Sequence, residues 1–219
     1  TTKVLIDHHQ DPEAFAKATF SDTSASSTCQ MVVDLALAMG WDGNINTDVA
    51  TCLYTGMVTD SGSFRFRSTT PHTLRTAALL LERGVDLDLV HNAISDTNSA
   101  DRLRLLGFTL QERMTVMPEH RTVIIGLGQD DLKRFHFKQG DTEGFVNYGL
   151  SIKGIRLAAF FMEHPDMVKI SLRSKGDLPV HRFLKEHFQG GGHQNAAGGK
   201  STLSLEATVG RFMSLLPAF

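Results

Sequence analysis

The chain has 219 residues, a formal net charge of -2, 41% hydrophobic and 21% charged residues, an ordinary globular balance that excludes a disordered or fibrous polymer. No apolar stretch approaches the roughly 18 residues of a membrane-spanning helix. Cys29 and Cys52 are isolated, without C-x-x-C spacing, which excludes a disulfide framework or a cysteine zinc site and makes a reducing cytoplasm the default expectation.

The small net charge hides an asymmetry. Residues 1–110 hold 8 Lys+Arg against 13 Asp+Glu, whereas residues 151–200 hold 8 against 4. An acidic first part suits a cation and a basic later segment suits an anion, although a solvated face gives the same counts.

In chain order, Lys3-Val4-Leu5-Ile6 stops abruptly at Asp7-His8-His9. A continuous apolar run reads as a buried parallel strand, and in open α/β folds ligands bind beyond the carboxyl ends of such strands. The chain opens on Thr1-Thr2 with no Met, and its first element reads as an interior strand, so it is expected to be the later part of a longer protein. Asp11-Pro12 predicts a turn, and a polar cluster at 21–24 leads to a helix capped by Ser26 or Ser27 and stopped at Gly40. A second helix starts near Asn46-Thr47, with Val49, Ala50, Leu53 and Met57 on one face, and runs out at Thr59-Asp60-Ser61-Gly62. A third starts at the Thr70 cap and Pro71, carries Leu74, Ala77, Ala78 and Leu81, and ends at Gly84. A short helix over 87–94 follows. Ser99 then opens a helix with Leu103, Leu106 and Leu110, taken as a linker because the pattern changes after it.

Beyond the linker, strands are predicted at 115–117 and 122–127, helices near 129–135 and 142–152, and a hairpin of 155–163 with 167–174. A helix over 179–188, the glycine-rich segment 190–199 and a helix over 204–215 complete the chain.

Three places can carry chemistry. Asp60 puts a carboxylate at the C-terminal end of a helix, against the dipole, at a cost of about 0.3–1 kcal/mol when exposed. A nearby cation explains that placement, and so does an ordinary turn aspartate bonding its own backbone. Oxygen and imidazole ligands suit Mn, Zn or Mg. Arg65 and Arg67 alternate with Phe64 and Phe66 as in a half-exposed strand, reaching a phosphate or simply solvent. In Gln189-Gly190-Gly191-Gly192-His193-Gln194-Asn195-Ala196-Ala197-Gly198-Gly199 the glycines allow close backbone approach to an anion, while His193 and Asn195 offer polar edges. Arg173 and Lys175 precede it as phosphate partners. No Walker A loop or dinucleotide fingerprint is present.

Three of these segments, in this order, resemble the DHH phosphoesterases that carry a DHHA1 domain: Asp7-His8-His9, Gly56-Met57-Val58-Thr59-Asp60-Ser61-Gly62-Ser63-Phe64, and Gly190-Gly191-Gly192-His193-Gln194-Asn195-Ala196-Ala197-Gly198. Ser171-Leu172-Arg173-Ser174-Lys175 is placed as in the subgroup that degrades very short RNA and dephosphorylates 3′-phosphoadenosine 5′-phosphate. The resemblance implies an α/β protein. Part of a parallel-sheet DHH catalytic domain (1–98) is joined by a linker helix (99–111) to a smaller mixed α/β DHHA1 domain (112–219). It also implies two divalent cations, Mn2+ first and Mg2+ second. His8 and Asp60 would be ligands, His9 would lie on the scissile phosphate, and Asp7 would orient the histidines. Arg173, Lys175, Gly191, Gly192, His193, Asn195 and Arg65 would bind the substrate.

The family places a His-x-x-x-Asp-x-Asp motif and a further aspartate ahead of the DHH motif, and only six residues precede Asp7 here. The expectation for the parent is therefore a hydrolase of short RNA or a nucleotide, without membrane association, with a homodimer left open. The alternatives are a cyclic-dinucleotide phosphodiesterase, an exopolyphosphatase-like hydrolase or, for this chain alone, a non-catalytic nucleotide-binding module.

Overall fold

The computed structural model describes residues 2–10 and 12–219; Asp11, and with it the predicted Asp11-Pro12 turn, lies outside the described residues. The chain forms two compact units, Thr1–Thr97 and Asn98–Phe219. No helix among the described residues is long and apolar enough to cross a membrane.

In the first unit, β1 (Val4–Asp7) pairs in parallel with β2 (Ala18–Ser21), Asp7 lying opposite Ser21. The parallel pairing is as expected, but the strand is not buried: Val4 is exposed and Leu5, Ile6 and Asp7 are half-buried. Four helices follow: α1 (Thr28–Ala38), α2 (Thr47–Asp60), α3 (Pro71–Glu82) and α4 (Leu87–Ser95). Their starts are set locally. Ser27, Asn46, Thr70 and Asp86 each accept an N–H of the first turn, and Thr70 forms a capping box with Thr73, satisfying donors that no helical carbonyl can reach. The core joins Val33 of α1, Ala50, Leu53, Tyr54, Met57 and Val58 of α2, and Ala77 and Leu80 of α3.

Two expectations change here. On α3 the inward face is Thr73, Thr76, Ala77 and Leu80, while Leu74 and Ala78 are exposed; Thr73 turns inward to bond the buried Gln30 of α1. The segment 64–67 is a turn rather than a strand. Ser63 and Phe64 take left-handed φ of 58° and 62°, and the Ser61 carbonyl accepts the N–H groups of both Arg65 and Phe66.

The second unit is a six-stranded mixed sheet in the order β3-β4-β5-β6-β8-β7, from β3 (Met114–Met117), β4 (Thr122–Leu127), β5 (Leu157–Glu163), β6 (Val168–Ser174), β7 (Gln189–His193) and β8 (Ala196–Ser201). Only β4 and β5 run parallel. Side-chain alternation separates its two faces. Ile124, Leu157, Ala159, Phe161, Ile170 and Leu172 pack under α8 (Val180–His187) and α9 (Leu205–Leu215). Val123, Ile125, Leu127, Ala158, Phe160 and Met162 pack under α5 (Ala100–Glu112), α6 (Gln129–Arg134) and α7 (Phe145–Ser151). The helix taken as a linker, α5, is thus packed into this unit through the fully buried Leu105. The glycine-rich segment forms the β7–β8 hairpin, with Gly190 opposite Gly199 and His193 opposite Ala196.

The start of α6 is tied to the end of α5 by a two-pronged pair. Arg113 Nε and one terminal nitrogen donate to the two Asp131 oxygens at 2.8 and 2.9 Å, and Asp131 also accepts the Gly128 N–H at 3.2 Å. Burial pushes the Asp131 carboxyl up, but the Arg113 hydrogen bonds, the Gly128 N–H and the positive charges of Arg113 and Arg134 together outweigh it and hold it below the usual aspartate range. A depressed folded pKa contributes stability that is present above the unfolded value of about 3.9 and is lost as pH falls through the folded value. Asp131→Asn is therefore expected to lower stability at pH 7 by about 1 kcal/mol in urea unfolding. That difference from wild type should shrink steadily once the pH drops below about 4.

Candidate functional site

The first cluster forms where β1 ends. Asp7 Oδ1 meets His9 Nδ1 at 2.7 Å and accepts the His9 backbone N–H at 3.1 Å. The His9 hydrogen bond, chiefly, holds the Asp7 carboxyl below its ordinary range. His8 lies edge-on to His9 with ring centroids 4.6 Å apart. Its Nδ1 lies 3.3 Å from the Ala25 carbonyl; a carbonyl only accepts, so Nδ1 carries the proton of that bond. Nε2 then faces Asp60 Oδ2 at 3.9 Å. Asp60 is the last residue of α2, and its Oδ2 accepts the Ser27 hydroxyl at 2.8 Å.

These residues fit a divalent cation. A ligating histidine typically donates its second ring N–H to a backbone carbonyl or carboxylate, as His8 does to Ala25. Two ligand bonds of about 2.0–2.2 Å span 3.9 Å at a wide angle, and one nitrogen with one carboxylate oxygen suits Mn or Zn. The same two atoms form a plain ion pair when His8 is protonated. The structure brings together Asp7, His8, His9 and Asp60 and adds two groups, the Ala25 carbonyl and the Ser27 hydroxyl. The Ser27 cap position was a readable signal; its reach to Asp60, 33 residues away, was not. Arg65 is exposed in the turn after α2, its Nε donating to the Gly62 carbonyl at 2.9 Å.

The second cluster lies on the sheet of the second unit. His193 is paired with Ala196, and Ala196 with Arg173, so the three form one row across β7, β8 and β6. Paired residues of neighbouring strands share a face. Two strand spacings, about 10 Å, separate the His193 and Arg173 backbones, and only a methyl group stands between them. The next row along that face is Gly191, Gly198 and Ser171, so the floor is almost without side chains.

The glycines divide by face. A Cβ on Gly190 would lie 2.4 Å from the Gly198 carbonyl and 3.0 Å from Leu184 of α8, whereas one on Gly191 would meet nothing within 4 Å. Gly192 has φ +136°, and its Cβ would approach the Ala196 carbonyl at 2.7 Å. Gly191 can therefore take a ligand against its backbone, while Gly190 and Gly192 allow the hairpin to close.

Arg173 is half-buried beneath this face. Burial lowers its pKa, with the Glu143 charge acting in the opposite sense, and one of its terminal nitrogens donates to the Leu172 carbonyl at 3.0 Å. Lys175 is exposed just past β6. Asn195, expected on the ligand, is engaged elsewhere: its amide donates to Ser174 Oγ at 2.8 Å and to the Gly176 carbonyl at 2.9 Å. It rivets the turn carrying Lys175 to the tip of the hairpin.

Residues 1–57 match the model for the DHH family, N-terminal domain, and residues 124–216 match the DHHA1 domain. The chain belongs to the DHH/DHHA1 family. This DHH/DHHA1 chain is 32% identical over 196 residues to the bifunctional oligoribonuclease and PAP phosphatase NrnA of Bacillus subtilis, covering 88% of this chain and 60% of that protein. It is 29% identical over 216 residues to the cyclic-di-AMP phosphodiesterase GdpP of the same organism, covering 95% of this chain and 31% of that one. Among solved structures, an exopolyphosphatase-related protein from Bacteroides fragilis superposes with a TM-score of 0.94 at 39% identity, over 99% of this chain and 64% of the other. The chain thus spans about 60% of the length of the curated NrnA relative it matches.

The division among the glycines predicts a split outcome. Gly190→Ala should cost about 1–3 kcal/mol of stability through its backbone clash. Gly191→Ala should leave the thermal midpoint within about 2 °C of wild type in the same unfolding measurement. Equal stability loss in both variants would contradict the assignment of Gly191 to the open face.

Proposed function

We propose that the protein of which this chain forms part is a metal-dependent phosphoesterase. In this reading it releases mononucleotides from very short RNA and hydrolyses 3′-phosphoadenosine 5′-phosphate to AMP. The observation that carries this reading is the match to the NrnA protein, named as both an oligoribonuclease and a PAP phosphatase, over 88% of the chain. The two clusters support it independently: an acidic-imidazole pair at the end of β1 for a cation, and an open glycine floor flanked by His193 and Arg173 for a nucleotide.

Divalent cations, Mn2+ by preference of the imidazole ligand, would polarise the phosphoryl oxygens and lower the pKa of a bound water. In that scheme His8 Nε2 and Asp60 hold a cation. Asp7, by engaging His9 Nδ1, turns His9 so that Nε2 is the nitrogen meeting the phosphoryl group. Arg173 supplies a positive, partly desolvated group for the phosphate of the nucleotide, and electrostatics at such a site are stronger than in water. His193 donates to phosphate or stacks on a base. Gly191 lets the ligand lie against the backbone. Arg65 and Lys175, both exposed, add positive charge at longer range. The soluble, cytoplasmic and possible homodimeric state expected from the sequence belongs to this same proposal.

A second reading has its own support: the GdpP match covers 95% of the chain, and the solved structure of TM-score 0.94 is described as exopolyphosphatase-related. Turnover of a dinucleotide, 3′-phosphoadenosine 5′-phosphate, cyclic di-AMP and polyphosphate by one full-length preparation separates the two. The expectation is hydrolysis of the first two, at least ten-fold faster than the others. His8→Ala should abolish turnover of every substrate even with excess Mn2+, whereas Arg173→Ala should raise KM far more than it lowers kcat. Retained wild-type turnover in His8→Ala would remove the metal role. Binding of nucleotide without hydrolysis by the full-length protein would point to a non-catalytic module.

A further inference from the structure

Residues 25–27, just ahead of α1, touch both candidate ligands. The Ala25 carbonyl lies on His8 Nδ1, and two residues later the Ser27 hydroxyl lies on Asp60 Oδ2. Ser27 is fully buried. Its oxygen accepts the Cys29 N–H at 3.1 Å as the cap of α1. A hydroxyl has a single proton, so the proton of Ser27 goes to Asp60.

The segment is itself anchored. Buried Ser26 donates to Gln30 Oε1 at 2.8 Å, and the same oxygen accepts from Thr73 of α3 at 2.8 Å. The approach of α1 to α2 depends on Gly56, one turn before Asp60: a Cβ there would lie 2.3 Å from Cys29 Sγ. Without that close approach, Ser27 would not reach the end of α2.

We propose that Ser27 is a positioning residue for Asp60. Through its hydroxyl proton, the start of α1 fixes which way the Asp60 carboxylate turns, keeping an oxygen on the side of His8 Nε2. The inference rests on the reading that His8 and Asp60 hold a cation. Asp60 is 42% exposed in its side chain, so without this bond its carboxylate would rotate in solvent and lose orientation toward His8. Partners that orient a ligand typically change metal affinity by about 10–100-fold when removed.

The test is Mn2+ affinity, read by isothermal titration and by the Mn2+ EPR signal, alongside thermal unfolding. Ser27→Gly removes the hydroxyl while glycine remains an acceptable cap. It should weaken Mn2+ about ten-fold with little change in unfolding midpoint, and Ser27→Thr should restore affinity to within about three-fold of wild type. If Ser27→Gly does not fold, Ser27→Cys replaces it, its weak S–H donor predicting an intermediate affinity. His8→Ala and Asp60→Asn are measured in parallel. Loss of affinity in those two but not in Ser27→Gly would overturn the positioning role while leaving the metal site standing. No loss in any of them would overturn the metal reading itself. Loss in Ser27→Gly that Ser27→Thr fails to restore would also overturn the role of the hydroxyl.

Discussion

Asp60 ends α2 at the pole of the helix where a negative charge is least favoured, because the last carbonyls already carry the negative end of the dipole. The cluster in the first unit is built around that placement. The carboxylate sits where only outside groups can compensate it, and two approach: a buried hydroxyl at 2.8 Å and an imidazole nitrogen at 3.9 Å. Neither group belongs to α2. Both are held by the region before α1, so the order of β1, the segment 25–27 and α2 matters more to this cluster than the stability of any one element. Burial, chiefly, pushes the Cys29 thiol up, and the Asp60 charge acts in the same sense.

The second unit solves a different problem, namely presenting a backbone rather than a side chain. Glycine in a strand interior loses packing and entropy, and β7 accepts that loss at three consecutive positions. Each answers to a different constraint. Gly190 lies under Leu184 and against the backbone of β8, Gly192 carries a φ that side chains avoid, and Gly191 is open. The ordered hairpin exists because β8 pairs it to β6, whose own partner β5 is fully packed on both faces. The glycines are held by their neighbours and contribute little cohesion themselves.

What was legible in the sequence follows from locality. Caps at Ser27, Asn46, Thr70 and Ser99 were readable because a side chain one turn from its partner is a local matter, and the helices began where those residues predicted. The faces were less legible. On α3 the period was right and the phase was shifted, since periodicity does not tell which side of a helix meets a neighbour, and Gln30 drew Thr73 inward. Glycine disfavours strands in isolation, so nothing within 190–199 marks it as strand; the pairing that makes it one comes from β8 and, beyond it, from β6. Asn195 was placed on the ligand because its polar edges are visible in the sequence, whereas its partners Ser174 and Gly176 are about twenty residues away. The exposed strand β2, Ala18-Thr19-Phe20-Ser21, alternates apolar and polar over only four residues, too short a run to stand out.

The state of Arg173 bears on why a basic segment follows an acidic one. Burial makes the charged form of a cation less favourable, and here it lowers the guanidinium's pKa even though Glu143 acts the other way. One of its terminal nitrogens donates to the carbonyl of the preceding residue, a neutral acceptor. Arg113 in the same unit is the contrast: it makes a two-pronged pair with Asp131 and its pKa is raised. One arginine has spent its fork on a carboxylate. The other lies half-buried in a row with Ala196 and His193, where two parallel N–H groups are best matched by a phosphate or carboxylate. An anion arriving there would regain favourable interactions that burial has withdrawn. Such an arrangement requires that nothing large stand on the strand between them, and residue 196 is alanine.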